Sequence, residues 1–330
     1  MGSYSEKTAM DRTPDAHSAD TNGPRIAVLI PCHNEEVAIG KVVEDFARVL
    51  PTAKVFVYDN NSTDRTVEVA RATGAIVASE HLQGKGNVVR RMFSDIEADA
   101  YVLVDGDNTY DASSAIPMLD ILFAENVDMV TGTRITDIPD AYRRGHRFGN
   151  ALLTGIVAFI FGDRITDMLS GYRVFSRRFV KSFPALSSGF ETETELTIHA
   201  LELRMPLAEV ETPYRDRSEG STSKLNTYSD GIRILFTIVT LVKEERPLQF
   251  FSISALILFL LGFGISVPIL IEFHRTHLVP RFPTAFLAVG IVLLSFLSLV
   301  CGLVLDSVAR GRKEAKRMIY LSIPATNSRT

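Results

Sequence analysis

The sequence predicts an α/β domain, a mostly parallel sheet with helices on both faces, joined to a C-terminal hairpin of two transmembrane helices. Two observations predict it. Between Arg25 and Arg134, short continuous apolar runs alternate with segments of helical spacing. Strands that are apolar throughout are covered on both faces, which is the habit of parallel sheets. Further on, Phe250 to Ile271 and Phe286 to Leu305 carry no charge. Each run matches the roughly 20 residues that a helix needs to cross a bilayer.

Taken in order, residues 1–24 are polar, aperiodic and without an apolar h-region, and read as a disordered tail rather than a signal peptide. Glu6 stands where a myristoylation signal following Gly2 requires Ser or Thr. "RIAVLIP" is the first strand and "EEVAIGKVVEDFARVL" a helix. "AKVFVYD" is the second strand, followed by the helix "DRTVEVARATG", whose Gly74 suits a C-cap. "AIVASE" and "AYVLVD" are strands around the helical "GNVVRRMFSDIEAD". The strand "VDMVTGT" closes the series after "ASSAIPMLDILFA", a helix that Asp111 is placed to cap. The α/β unit is assigned to 25–227. Residues 228–248, which contain "SDGIRILFTIVTLVKEERP", suit an interfacial amphipathic helix or juxtamembrane linker. The two crossings occupy 249–307, where Pro268 is tolerated, and 308–330 form a basic tail.

That tail holds Arg310, Arg312, Lys313, Lys316 and Arg317, against Arg275 and Arg281 in the linking loop. The bias places the tail, and after two crossings the α/β unit, on the cytoplasmic face of the inner membrane. A net charge of −4 excludes a nucleic-acid binder that relies on bulk electrostatics. Cys32 and Cys301 lie in unlike settings, so no disulfide is expected and a reducing compartment is implied for the domain.

Open α/β sheets bind ligands at the carboxyl ends of their strands. Here those ends read "PCHNEE", "DNNSTD", "QGKG" and "DGD". Residues two apart on an extended segment share a face, so Asp105 and Asp107 are expected to project together, with Gly106 admitting a ligand to the backbone. Such a pair suits Mg²⁺ or Mn²⁺ shared with a diphosphate, because Mg²⁺ usually takes one or two protein carboxylates. An EF-hand loop is excluded, since Tyr110 stands where Gly is needed and Ile116 where the bidentate Glu belongs. Asp59 is expected to meet a base or ribose, and Lys85 a phosphate or another carboxylate. "GKGNVVR" lacks the Walker spacing. The two sequons at Asn60 and Asn61 are fortuitous on a cytoplasmic loop.

In series, "PCHNEE", "VYDNNSTD", "GKGNVVR", "VDGDNTYD", "GTR", "DMLSGYRVFSRR", "GFETETEL" and "YRDRSEGSTSKL" resemble the motifs of inverting family 2 glycosyltransferases of the GT-A (Rossmann-like) fold. With the hairpin, the chain resembles the polyprenyl-phosphate branch, the group similar to dolichyl-phosphate mannose and glucose synthases and bactoprenol glucosyltransferases. The resemblance implies that Pro31, Glu35 and Asp59 hold the nucleotide. It implies that Asp105 and Asp107 are the DxD-type metal pair, and that Asp167 lies near the reacting sugar. Arg215, Arg217, Ser223 and Lys224 fall on the segment that meets phosphates in this branch. A homo-oligomer, a tetramer, is implied by the resemblance alone. The chain departs from the usual pattern at Asn60 and Asn61, where many members have Asp-Gly-Ser, and in "DGDNTYD" against a "DADLQ"-like form.

The implied reaction moves a hexose from a UDP- or GDP-sugar to polyprenyl phosphate. A hydroxyl acceptor needs a general base, whereas a lipid phosphate oxygen is already anionic. Such a site needs cations to bring two anions together: a metal pair, Arg134, Arg215, Arg217 and Lys224. Arg143, Arg144 and Arg147 could add headgroup contacts. Alternatives are a family 2 enzyme with a hydroxyl acceptor, on a glycolipid or polysaccharide, and a non-catalytic nucleotide-sugar-binding membrane partner. A processive synthase fits poorly, because the chain has no Trp for a Q-x-x-R-W motif and only two apolar runs.

Overall fold

The computed structural model describes residues 23–135, 155, 165–187, 189, 191–215, 239–240 and 242–325. The apolar runs form β1 (Ile26–Cys32), β2 (Lys54–Asp59), β3 (Ile76–Ser79), β4 (Ala100–Leu103) and β5 (Met129–Ile135). Two further strands, β6 (Arg173–Ser176) and β7 (Leu207–Pro213), complete a seven-stranded sheet of order β3-β2-β1-β4-β6-β5-β7. β1 pairs in parallel with β2, Ile30 opposite Val57, and with β4, Val28 opposite Val102. β6 alone runs antiparallel, setting Arg173 opposite both Leu103 and Thr131. The sheet is thus mostly parallel, as expected. Its single reversed strand brings its own beginning, residues 167–173, to the edge where the parallel strands end.

Alternate side chains along β1 serve two cores. Val28 and Ile30 pack with Ile39, Val43 and Phe46 of α1 (Ile39–Val49) and with Met118 and Leu122 of α4 (Ala115–Ala124). Ala27 and Leu29 face Val89, Met92 and Phe93 of α3 (Lys85–Asp95). The same core takes Phe179 of α5 (Arg177–Ser182) and Leu196 of α6 (Thr192–Leu203). Between β2 and β3, α2 (Thr66–Ala72) ends at Gly74, whose φ of 89° is the left-handed geometry of a helix stop.

Two helix starts differ from expectation. α1 begins at Ile39 rather than Glu35, because residues 33–36 are bound to the loop after β2. Asn34 N–H donates to Ser62 Oγ at 2.8 Å, and the Glu36 carboxylate accepts Arg65 N–H at 2.9 Å. The helix expected from Ala112 opens as a 3-10 turn, Ala112–Ser114, before α4. Asp111 holds the N-cap position with extended backbone, but its carboxylate bonds the Ser113 hydroxyl and Arg215 instead of helix N–H groups.

Beyond the sheet, α7 (Pro247–Thr276) and α8 (Phe282–Ser322) are long and apolar enough to cross a membrane by length and composition. They pack as a hairpin through small residues, as helices in lipid do. A Cβ on Gly262 would lie 2.8 Å from Val292, and Ser295 Oγ donates to the Ala255 carbonyl at 2.9 Å. α8 does not stop at Leu305. The stretch read as a basic tail from 308 continues as the same helix through Ser322 and docks on the sheet domain. Lys316 pairs with Glu202 at 2.7 Å, and Tyr320 donates to buried Asp128 at 2.7 Å beneath the Arg178 guanidinium. The tail 1–22 and most of the juxtamembrane segment 228–248 lie outside the described residues.

Candidate active site

β4 ends at Leu103, and the chain stays beside β1 for one residue more, Val104 N–H donating to the Leu29 carbonyl at 3.1 Å. Gly106 and Asp107 then form a turn, and Asn108 takes a left-handed φ of 60°. The extended geometry expected to align Asp105 with Asp107 is therefore replaced by a turn. Gly106 is also tightly placed: a Cβ there would stand 2.5 Å from Cys32 Sγ. The protein interior requires this glycine. Burial pushes the Cys32 thiol up, with the neighbouring carboxylates adding to it, so it packs rather than reacts.

A second close approach occurs at Gly171, where a Cβ would meet Asp105 Oδ2 at 2.2 Å. Gly171 N–H in turn donates to the Tyr110 hydroxyl at 3.0 Å. Buried Asp107 accepts the Thr109 hydroxyl at 2.6 Å and the Thr109 N–H at 3.2 Å through Oδ1. Asp105 meets Lys85, whose Nζ lies 2.5 Å from Asp105 Oδ1 and 2.5 Å from Glu193 Oε1. Of the two partners expected for Lys85, phosphate or carboxylate, the chain itself supplies carboxylate. Burial alone would lower the ammonium's affinity for its proton, but Asp105 and then Glu193 outweigh it and hold it raised.

Asp59 ends β2 and is buried, with Oδ2 accepting Ser62 N–H at 3.2 Å. Its Oδ1 is buried with no hydrogen-bond partner among the described residues. Pro31 stands opposite Tyr58 in the β1–β2 register, and Glu35 N–H donates to Thr66 Oγ1 at 2.8 Å. Asn60 has an architectural task. Its side chain donates to the Glu80 and Leu82 carbonyls and accepts Gly84 N–H at 2.7 Å, shaping the loop that delivers Lys85.

On the other side, Arg134 at the end of β5 grips Asp167 with two bonds of 2.7 Å, Nε to Oδ2 and Nη2 to Oδ1. Both Asp167 oxygens are engaged, so its first task is to orient a guanidinium. The Arg134 guanidinium also lies 5.6 Å from the Tyr214 ring centre. Tyr214 bridges Tyr110, which brings Arg215 to the site: its N–H donates to the Thr109 carbonyl and its Nη2 to Asp111 at 2.7 Å. Arg217, Ser223, Lys224, Arg143, Arg144 and Arg147 lie outside the described residues.

Two residues of the site were given no role from sequence. Glu193 lies in "GFETETEL", one acid among three, and the sequence offers nothing to single it out. Arg173 belongs to "SGYR" and is fully buried, donating to the Ser170 and Met168 carbonyls and to Thr197 Oγ1. Burial lowers its pKa, opposed by Glu193 and Asp167. Its signal was available as an arginine in an otherwise apolar strand.

Among the described residues no group of three or more His, Cys, Asp and Glu converges into a closed metal cage. Two carboxylates of the β4–α4 loop are a donor set that fits Mg²⁺ or Mn²⁺ completed by phosphate oxygens. The edge therefore offers carboxylates for a hard cation, a buried acceptor at Asp59, and guanidinium groups for an anion.

Comparison with known proteins identifies the family. A profile described as glycosyl transferase family 2 matches residues 27–183. Glycosyltransferase AglJ of Haloferax volcanii is 35% identical over 262 residues, spanning 79% of this chain and 83% of the relative. A dolichyl-phosphate hexose transferase of the same organism is 32% identical over 221 residues, spanning 67% of this chain and 95% of its own. The crystal structure of glucosyl-3-phosphoglycerate synthase from Mycobacterium tuberculosis, in complex with Mn²⁺, UDP and glucosyl-3-phosphoglycerate, superposes with a TM-score of 0.55. That match has 24% identity and covers 67% of this chain and 80% of the other, and it places the sheet domain in the GT-A fold. With relatives matched along most of their length, the chain belongs to glycosyl transferase family 2.

Proposed function

We propose that the protein is a membrane-anchored inverting glycosyltransferase that moves a hexose from a UDP- or GDP-sugar to polyprenyl phosphate on the cytoplasmic face. The observation that carries the choice of acceptor is the Arg134–Asp167 clamp. The carboxylate assigned to the reacting centre has both oxygens engaged by a guanidinium, which suits an acceptor that needs no base. The relative named as a dolichyl-phosphate hexose transferase supports the same class.

In this reading Asp59 Oδ1 accepts an N–H or hydroxyl of the nucleoside, the partner its buried position lacks. Pro31 near the end of β1, and Glu35 in the loop that follows, help to hold the nucleotide. Asp105 and Asp107 would hold Mg²⁺ or Mn²⁺, which when bound neutralises charge on the leaving diphosphate. Arg134 and Arg215, with Arg217, Ser223 and Lys224, collect the acceptor phosphate near the anomeric carbon. One acceptor oxygen forms the new bond to that carbon as the bond to the nucleoside diphosphate breaks, and the diphosphate leaves with the electron pair. Inversion follows from attack opposite the leaving group. The α7–α8 hairpin keeps the domain beside the lipid.

The test offers the purified full chain labelled UDP- and GDP-sugars with undecaprenyl phosphate and Mg²⁺. Label entering the organic phase as an acid-labile sugar phosphodiester is the expected outcome. Label that moves only to water, or to a hydroxyl lipid in an acid-stable linkage, overturns the reading.

A further inference from the structure

Lys85 is held between two carboxylates, and only one of them belongs to the assigned metal pair. Asp105 presents Oδ1 to the ammonium and is partly exposed, its side chain at 31%. Glu193 presents Oε1 from the buried side, its side chain at 7%. The other Glu193 oxygen, Oε2, is buried without a hydrogen-bond partner among the described residues. An unpaired carboxylate oxygen beside an ammonium is unusual, because buried acceptors are nearly always satisfied.

The backbone fixes this arrangement. Gly84 has a φ of 126°, a conformation that favours glycine, and it delivers Lys85 to the start of α3. Gly86 allows α3 to press on the segment before α6: a Cβ there would lie 2.2 Å from the Ser187 carbonyl oxygen. Glu193 lies in the first turn of α6, where the helix dipole favours an anion. The "GKG" triplet thus sets a cation against Glu193 as well as against Asp105.

We propose that Glu193 is a positioning residue that retains Lys85 when Asp105 engages the metal–diphosphate, so that the ammonium stays beside the leaving group as a second cation. The inference rests on the function proposed above. Once Asp105 faces a divalent cation, Lys85 loses its exposed partner and meets a like charge. Glu193 Oε2 then accepts the ammonium beside Oε1, and both Glu193 oxygens are satisfied. Without that anion, Lys85 opposes the divalent cation directly.

The test is a double-mutant cycle read by Mn²⁺ binding, titrated by electron paramagnetic resonance on the full chain with whichever of UDP and GDP the wild type binds. Glu193→Gln is expected to weaken Mn²⁺ binding by about tenfold or more, within the range of coupling between charged neighbours. In a Lys85→Met background the same substitution is expected to change binding by less than about threefold, since no ammonium remains to be retained. Melting curves establish that each variant is folded, and Lys85→Met/Glu193→Gln removes the buried charge that Lys85→Met alone leaves on Glu193. Unchanged Mn²⁺ affinity in Glu193→Gln, or an equal loss in both backgrounds, overturns the inference while leaving sugar transfer as its own criterion. A wild type that transfers sugar and binds no Mn²⁺ also overturns it. Failure of the function reading shows separately, as absence of labelled lipid.

Discussion

At the carboxyl edge of the sheet, Lys85 and Arg134 have side chains 11% and 14% exposed, each locked to carboxylates. At the foot of the hairpin, Arg310 pairs with Asp306 while remaining 74% exposed. Both regions are rich in charge, and both pair it. Desolvation makes buried pairs poor sources of stability but severe ones to break, whereas exposed pairs are nearly neutral either way. The edge therefore spends burial on geometry, whereas Arg310 keeps its charge in water. A region that holds cations fixed before a ligand arrives is prepared for anions, as electrostatic catalysis requires.

Removing charge at the two regions should separate them sharply. Asp107→Ala should lower sugar transfer by about a thousandfold, the scale of losing one preorganised electrostatic group, with near-normal melting. Wild-type rates in Mg²⁺ would refute its assignment to the metal pair. Arg134→Ala removes both guanidinium bonds to buried Asp167 and should cost about 3–5 kcal/mol of stability. Arg310→Ala should cost less than about 1 kcal/mol. Equal melting shifts in these two variants would end the contrast.

Smaller effects sharpen it. Gly106→Ala pushes a methyl against Cys32 and should cost about 1–3 kcal/mol, relieved when Cys32→Ala is added. No relief would mean that something other than the thiol limits this position. On the hairpin side of the domain, burial first, and then Lys316, lowers the His199 pKa from its usual 6.5 to about 3. The unfolded chain then binds a proton that the folded one refuses, so stability should fall as pH drops from about 6.5 towards 3. Melting curves of His199→Gln should lose that part of the slope; an unaltered slope would assign it to other groups.

Much of the sheet was legible because burial on both faces writes a continuous apolar run, as in Ile26–Cys32 and Ala100–Leu103. β6 escaped notice because four residues headed by an arginine give no such run, although Arg173 is buried completely. β7 alternates acidic and apolar residues and is half exposed, so no continuous apolar run marks it. At the site, the residue types at strand ends were visible, but their partners were not. Nothing local shows that Lys85 reaches Glu193 or that Arg134 reaches Asp167, since those meetings depend on α6 and on the reversal before β6. The basic stretch after Leu305 was read by charge alone; its continuation as a docked helix follows from Lys316 and Tyr320 meeting groups far away in sequence.

The unbroken course of α8 has a consequence for how the chain can change in length. An α-helix turns by about 100° per residue and advances about 1.5 Å. The face that carries Ser295 and Ser298 against α7 and the face that carries Lys316 and Tyr320 are therefore locked in angular phase. One residue added between Cys301 and Lys313 would swing Tyr320 away from Asp128, while about seven or eleven would return it, farther out, to nearly the same bearing. The loop between α7 and α8 carries no such constraint. Insertions there alter length without phase, whereas within α8 the spacing is counted in whole turns.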